Sequence, residues 1–283
     1  MVFIITYPEA SVALKNMCPE FIVLPLLPLE KFDEQEKFKR WIKVFTSVCI
    51  GPGLGRDLKL IKSFEFILES LKNKIVVGDA DFFWFFGQNV NLYKESLKQF
   101  EKIILTPNMG ELKRMYKAAL KKDIDMDKLY FKVCQLIETK EEIEEVDLLG
   151  KIPELREFYS FFENKNLFFI IKGKFDLIIG SNTCYVVRNK ASLKRSGGQG
   201  DVLCGLSSLF VFWASKKEIN TETSLAFSSY FVRKCSFSAF KKKKLGQMTL
   251  DIINELTDHI NEFIVDEEIF KDDSLDEFHR INE

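Results

Sequence analysis

The stretch KRSGGQGDVLCG, residues 194–205, places three glycines within four positions directly before an apolar run. Glycine permits positive φ angles and close approach of the backbone to a ligand, because it has no Cβ. The apolar run can continue as a buried helix, whose N-terminal N–H groups and positive dipole end favour phosphate. Asp201 at the helix start is either a first-turn acid stabilised by the dipole or a base that deprotonates an attacking hydroxyl. A glycine-rich loop before a helix is a weak signal alone, so the rest of the chain has to support it.

Short apolar segments alternate with helical patterns along the chain, and polar motifs follow the apolar segments. Residues 47–50 lead into GPGLGRD at 51–57, residues 75–77 into GDAD at 78–81, and residues 103–105 into TPNMGE at 106–111. Short strands that alternate with helices predict an α/β fold with a parallel sheet and right-handed crossovers. Because ligands bind at the carboxyl ends of the strands in such a sheet, the polar motifs are predicted to lie where ligands bind.

The remaining pattern predicts further elements. Strands are predicted at 2–6, 21–24 and 167–171, a β-hairpin at 175–179 and 183–187, and helices at 9–16, 30–43, 58–72, 109–121, 202–215, 221–242 and 249–263. Residues 122–166, including the acid-dense run 138–147, are predicted to form helices of a surface insertion or extended arm with no chemistry of its own. The basic run 241–244 is interpreted as a solvated helix end, and the acidic tail 265–283 as frayed.

Composition excludes several classes of protein. The chain is 46% hydrophobic and 29% charged with a net charge of −1, which argues against a dedicated nucleic-acid binder. The six cysteines have no C-x-x-C spacing and are interpreted as reduced thiols of a cytoplasmic protein. No run approaches the roughly 18 apolar residues of a membrane span, and the apolar residues 1–6 are too short for a secretory signal and lack its basic flank. The two histidines, His259 and His279, offer no zinc set and no Ser–His–Asp arrangement, so catalysis has to rest on Asp, Glu, Lys, Arg and backbone donors.

Six motifs in register resemble the ATP-dependent NAD(P)H-hydrate dehydratases of the ribokinase-like superfamily. They are GPGLGRD at 51–57, VVGDADFFWF at 76–85, LTPNMGELKRM at 105–115, IIKGKFDLII at 170–179, KRSGGQGDVLCG at 194–205 and GQMTLDIINEL at 246–256. The SGGQGD form is similar to the eukaryotic branch, which uses ATP. The resemblance implies a ribokinase-like three-layer sandwich with a mostly parallel central sheet and helices on both faces. It also implies a single domain over residues 1–264, followed by the tail at 265–283.

The resemblance further implies a reaction, its cofactors and its site. Members of the family use ATP with Mg²⁺ to return the S epimer of hydrated NADH or NADPH to NAD(P)H through a phosphorylated intermediate, releasing ADP and phosphate. Asp201 is the implied catalytic base. The implied substrate-binding residues are Gly53, Gly55, Asn108, Met109, Gly110, Glu111, Leu112, Lys113, Arg114 and Asp201. The implied ATP-binding residues are Lys172, Gly173, Lys174, Phe175, Asp176, Lys194, Arg195, Ser196, Gly197, Gly198, Gln199 and Gly200.

Several of these residues have plainer interpretations. Lys172 is equally a surface lysine after a strand, and Glu111 is equally a first-turn residue favoured by the helix dipole. Asp79 and Asp81 are strand-end turn residues, Mg²⁺ ligands or hydrogen-bonding groups, and the metal ligands stay open.

Two alternatives to the dehydratase remain. One is a related vitamin-precursor kinase, which stops at the phosphoryl ester; the other is a catalytically silent nucleotide-binding homologue. GPGLGRD and TPN-x-x-E favour the dehydratase because they resemble the substrate-side motifs of the family. The expected partner is a small-molecule substrate, and we expect binding to neither nucleic acid nor a membrane.

The chain starts after a strand and helix with which the family normally begins, a segment that carries a glycine-rich GGS…Y-x-GA motif. Residues 2–5 are apolar and contain no Lys or Pro that would protect an exposed sheet edge. We therefore expect an upstream segment, or a partner subunit of a homo-oligomer, to cover this strand.

Overall fold

The computed structural model describes residues 1–264, with side chains described to residue 261. Its strands are β1 (Val2–Thr6), β2 (Phe21–Pro25), β3 (Ser47–Ile50), β4 (Ile75–Gly78), β5 (Lys102–Leu105), β6 (Ile143–Glu145), β7 (Leu167–Ile171), β8 (Asp176–Ile179) and β9 (Cys184–Val187). The tail at 265–283 lies outside the described residues.

The α-helices lie between these strands and after the last of them. They are α1 (Pro8–Met17), α2 (Phe32–Ile42), α3 (Ile61–Ser70), α4 (Asp81–Gln88), α5 (Val90–Leu97), α6 (Met109–Leu120), α7 (Met126–Leu136), α8 (Leu148–Lys151), α9 (Pro153–Phe161), α10 (Gln199–Lys216), α11 (Thr221–Lys243) and α12 (Thr249–Ile264). None of the helices in the described part has both the length and the apolar character that a bilayer span requires.

Seven strands form the central sheet in the order β3-β4-β5-β7-β8-β9-β6. Strands β3, β4, β5 and β7 pair in parallel, and the hairpin β8–β9 and strand β6 continue the sheet with antiparallel pairs. The predicted strands and the hairpin are confirmed. Because β3, β4, β5 and β7 run in one direction, their carboxyl ends lie at one edge, which is where the polar motifs follow them.

Alternating side chains of the strands bury both faces of the sheet, as the period of two of a strand requires. Val76 and Ile103 belong to a large apolar cluster with Phe64 and Phe82 of α3 and α4. Their neighbours on the opposite face belong to a second cluster with residues of α10 and α11: Ile75, Val77, Ile104, Leu203, Val211 and Leu225. Helices therefore cover both faces, which confirms the three-layer arrangement.

The helical prediction for 138–147 is wrong, because residues 143–145 form the edge strand β6, which pairs with β9. The Glu144 carboxylate is buried, accepts hydrogen bonds from the N–H groups of Glu138 and Thr139, and lies 3.1 Å from Nη2 of Arg188. The sequence of an acidic run does not show which of its carboxylates is buried when the ionic partner lies more than 40 residues away. The prediction of an extended arm is also wrong, since Leu155 and Phe158 of α9 lie in the main core.

Strand β1 is not part of the central sheet. It pairs in parallel with β2, and these two strands form a separate sheet. The ring of Phe3 lies 5.3 Å from that of Trp41 and 5.1 Å from that of Phe45, so α2 and the turn after it cover one side of β1. The sequence pattern predicts one parallel sheet that begins at residue 2, and this is wrong: β1 pairs with β2 outside the central sheet and packs Phe3 on α2 and the turn after it.

Candidate active site

The loops after β3 and β4 interlock at the carboxyl edge of the sheet. The N–H of Asp79 donates to the carbonyl of Ile50 over 3.0 Å, and Asp79 is 1% exposed. Gly51 has a φ of +117°, and a Cβ at that position would lie 1.8 Å from the Asp79 carbonyl oxygen, so only glycine fits there. Ala80 has a φ of 52° and a ψ of −112°, a strained combination that clusters at functional sites.

Asp81 holds the GPGLGRD loop. Its carboxylate accepts one hydrogen bond from the N–H of Gly55 at 2.9 Å and another from Nε of Arg56 at 2.7 Å. Gly53 and Gly55 both have positive φ, and a Cβ on either would meet no atom within 4 Å. The backbone of this loop is therefore fixed at one end and open on the side where a ligand could lie.

Three separate motifs meet around the side chain of Lys172. Its ammonium donates to Oδ1 of Asp79 over 2.6 Å. A Cβ added to Gly200 would lie 3.1 Å from Nζ of Lys172 and 3.3 Å from Oδ2 of Asp79. The end of β7, the end of β4 and the first turn of α10 thus come together at one point, with a glycine where a side chain would crowd the ion pair.

Asp201 lies next to this ion pair in the first turn of α10. Desolvation by burial raises the pKa of its carboxyl, the negative charge of Asp79 raises it further, and the positive charge of Lys172 opposes both. The side chain still reaches solvent. A carboxylate that is accessible and more basic than an ordinary aspartate suits proton abstraction from a bound hydroxyl.

The glycine-rich loop before α10 is held by the first residue of α12 and the segment before it. Gly198, the N-cap residue of α10, has a φ of +87°. The hydroxyl of Thr249 donates to the carbonyl of Gly197, and Nζ of Lys194 donates to the carbonyl of Gln247 over 2.7 Å. The motif at 246–256 therefore supports the loop, a role that its sequence pattern alone did not indicate. Arg195 of the same loop is exposed.

The TPNMGE motif begins α6 with a capping box. The side chain of Asn108 accepts the N–H of Glu111 at 3.0 Å, and the carboxylate of Glu111 accepts the N–H of Asn108 at 2.8 Å. The first-turn interpretation of Glu111 is thus confirmed. Leu112 is fully buried in the core, whereas Gly110, Lys113 and Arg114 are exposed. A hydrogen bond of 2.8 Å from the N–H of Lys172 to the carbonyl of Pro107 joins this motif to the end of β7.

The segment 172–176 is divided between solvent and core. Gly173 and Lys174 are exposed, and Lys172 is half-buried. Phe175 is buried and stacks on Tyr130 with ring centroids 4.1 Å apart. Asp176 is buried as well: its Oδ1 accepts the N–H of Gly173 at 3.0 Å, and its Oδ2 accepts the Ser229 hydroxyl at 2.6 Å. A role of these last two side chains in nucleotide binding stays a prediction, as do the other residue assignments.

The structure thus brings the motif of 51–57, Asp79, Lys172 and the loop of 197–201 to one edge of the sheet. Sequence reasoning missed the ion pair between Lys172 and Asp79 and the support from Thr249. The residues that make these two contacts all lie in motifs named above, but the sequence does not show which of them contact one another. Lys172 and Asp79, for example, are 93 positions apart.

Comparison with known proteins shows which family this sequence matches. A family model described as NAD(P)H-hydrate dehydratase matches residues 1–258. The ATP-dependent (S)-NAD(P)H-hydrate dehydratase of Mus musculus is 30% identical over 257 residues, which cover 88% of this chain and 66% of the relative. The relative of the same description from Homo sapiens is 28% identical, with 87% of this chain and 65% of the relative covered. The chain thus spans slightly less than two thirds of the length of these two relatives.

Solved structures with the same fold include two bacterial proteins. A hypothetical protein from Streptococcus mutans superposes with a TM-score of 0.66 at 16% identity, covering 93% of this chain and 80% of that one. A ribokinase-like superfamily protein from Enterococcus faecalis superposes with a TM-score of 0.65 at 16% identity, covering 92% and 76%. At these identities the likeness concerns the fold alone, and it confirms the predicted ribokinase-like fold.

Proposed function

Because the chain belongs to the NAD(P)H-hydrate dehydratase family, we propose that it converts the S epimer of hydrated NADH or NADPH back to NAD(P)H. ATP is consumed, and ADP and phosphate are released. The observation that carries the proposal is the position of Asp201, a solvent-accessible carboxylate with a raised pKa at the start of a glycine-capped helix, beside the Lys172–Asp79 ion pair.

In the first step the carboxylate of Asp201 takes the proton of the ring hydroxyl. The hydroxyl oxygen then bonds to the γ-phosphorus while the bond from that phosphorus to the β–γ bridging oxygen breaks, and ADP leaves. In the second step the C–O bond to the new phosphate breaks and the neighbouring ring carbon loses a proton, which restores the double bond. Phosphoryl transfer depends mainly on positioning and charge neutralisation, so the surroundings of Asp201 matter more than covalent help.

Lys172 and the start of α10 supply positive charge for the transferring phosphoryl group. The ammonium of Lys172 is oriented by the buried carboxylate of Asp79, at 2.6 Å, and therefore needs no reorganisation during the reaction. The N–H groups of the first turn of α10 and the dipole of this 18-residue helix add to this field. Gly200 keeps the space beside Lys172 open for the phosphoryl group.

Mg²⁺ fits this site as a companion of ATP. In residues 1–264 no group of three or more His, Cys, Asp or Glu side chains could hold a metal ion by itself. Magnesium in such sites is commonly bound by one or two carboxylates together with substrate phosphates. Asp79, through the Oδ2 that Lys172 leaves free, would hold it together with the phosphates of ATP, and it would neutralise charge on the triphosphate.

The proposed location is the cytoplasm, and the proposed partner is a small molecule. The supporting observation for the location is that all six cysteines are unpaired, as is usual for a reducing compartment.

The deciding experiment supplies the purified chain with ATP and the S epimer of hydrated NADH and follows the absorbance band of the reduced nicotinamide. We expect the band to return with ATP and not without it. A vitamin-precursor kinase would consume ATP on its own substrate without restoring the band, and a silent homologue would bind ATP without turnover. Failure of the band to return under conditions where ATP binds would refute the proposed function.

A further inference from the structure

Helix α11 presents a buried polar face to two loops of the candidate active site. Ser229, Arg233 and Ser236 recur on this helix at the spacing of one helical face. Arg233 is 9% exposed, which is unusual for a residue that is always charged. A buried guanidinium has to be paired and hydrogen-bonded, so its partners show what it holds.

The partners of Arg233 lie on two separate loops. Its Nη2 donates to the carbonyl of Lys174 over 2.7 Å and to the carbonyl of Asn189 over 2.9 Å. Its Nε donates to the carbonyl and the side-chain oxygen of Asn189 over 3.1 and 3.2 Å. Its Nη1 lies 3.6 Å from Oδ2 of Asp176. One side chain therefore links the segment after β7 with the segment after β9.

Other residues of α11 hold the same two loops. The hydroxyl of Ser229 donates to Asp176, and the hydroxyl of Ser236 accepts the N–H of Ser192 at 3.2 Å. The first loop continues backwards to Lys172, and the second continues forwards to the glycine-rich segment at 194–200. The two segments to which we assign ATP binding are thus joined through one face of α11.

We propose that Arg233 is a positioning residue that fixes the 172–176 loop against the 188–194 loop and so sets the geometry of the ATP site. This inference rests on the proposed function for its account of what the loops bind. The planar guanidinium has donors in a fixed fork, so it holds two carbonyl groups at a set separation. A lysine ammonium is a single flexible point charge and cannot hold both carbonyls in that geometry.

The test compares Arg233→Met and Arg233→Lys with the control Glu222→Met. Glu222 is also a buried charged residue of α11, and its Oε1 accepts the N–H of Asn182, in the turn between β8 and β9, over 3.4 Å. That turn lies outside the two segments to which we assign ATP binding. Both Met variants remove a buried charged group that holds a loop, so thermal unfolding should show a loss of stability in each.

The readouts separate positioning from a general loss of stability. For Arg233→Met we expect the KM for ATP to rise by on the order of 10–100-fold, the range expected for misplaced binding groups, while the KM for hydrated NADH changes little. Arg233→Lys should give an intermediate KM for ATP. Without ligand, hydrogen exchange should become faster at 172–176 and 188–194 in Arg233→Met, and at 180–183 in Glu222→Met. If Arg233→Met does not fold, Arg233→Lys carries the same comparison.

An unchanged KM for ATP in both Arg233 variants would overturn the inference. So would an equal rise in Glu222→Met, since the effect would then follow stability alone, or the absence of ATP binding in the unmodified chain. Failure of the proposed function looks different: the unmodified chain would bind ATP, Arg233→Met would bind it more weakly, and neither would regenerate NADH.

Discussion

Replacing Gly200 by alanine should separate stability from activity. Gly200 is the second residue of α10, and alanine in a helix is favoured over glycine by roughly 0.5–1 kcal/mol. The new Cβ would lie 3.1 Å from Nζ of Lys172 and 3.3 Å from Oδ2 of Asp79, so the ammonium has to retreat by a few tenths of an ångström. This displacement offsets much of the helical gain, and we expect the free energy of unfolding to change by less than about 1 kcal/mol.

The effect on turnover should be far larger. The added methyl group fills the space beside Lys172 that we assign to the phosphoryl group, and misplacement of reacting groups on the ångström scale costs up to about 10²-fold in rate. Initial rates of NADH recovery and urea unfolding, measured on the same preparations, give the two quantities.

Gly205→Ala in the same helix is the matched control, because a Cβ there meets no atom within 4 Å. Gly205→Ala should gain roughly 0.5–1 kcal/mol of stability and keep its activity. If Gly200→Ala turned over at the rate of Gly205→Ala, the space beside Lys172 would not be the path of the phosphoryl group.

The other predictions concern Asp201 and two glycines of the loop after β3. Asp201→Asn should lower the rate of NADH recovery by about 10²–10⁴-fold, the usual contribution of a general base, with nearly unchanged ATP affinity by calorimetry; near-native turnover would remove Asp201 from the mechanism. The rate should fall as the pH drops through the raised pKa of Asp201, at a higher pH than for an ordinary aspartate. Burial raises that pKa above its value in the unfolded chain, so the ionised carboxylate costs stability at neutral pH. At that pH the melting temperature of Asp201→Asn should equal or exceed that of the unmodified chain. A lower melting temperature would contradict burial as the cause of the raised pKa. Gly51→Ala, with a φ of +117° and a Cβ 1.8 Å from the carbonyl of Asp79, should lose about 3 kcal/mol or more in urea unfolding. At Gly53 φ is +63° but a Cβ would meet no atom within 4 Å, so Gly53→Ala should lose only about 1–2 kcal/mol of the free energy of unfolding. Equal losses in the two variants would contradict a clash between the Cβ at position 51 and the carbonyl of Asp79.

Local patterns in the sequence determined most of the fold. The strands at 75–77, 103–105 and 167–171 were predictable because each is a short apolar run bounded by turn residues, and burial on both faces of a sheet requires that composition. The order of strand, glycine-rich turn and helix around GPGLGRD similarly fixed the parallel direction, and with it the edge at which the polar motifs follow their strands.

Tertiary structure alone decided how the site is assembled. Three contacts of the site join residues that are far apart in the chain. Lys172 and Asp79 are 93 positions apart, Thr249 and Gly197 are 52 apart, and Arg233 and Lys174 are 59 apart. No local propensity encodes such contacts, because they exist only after separate strands have aligned their carboxyl ends. The same reason explains β6, because Arg188 of a distant segment is one of the groups that compensate the buried carboxylate of Glu144.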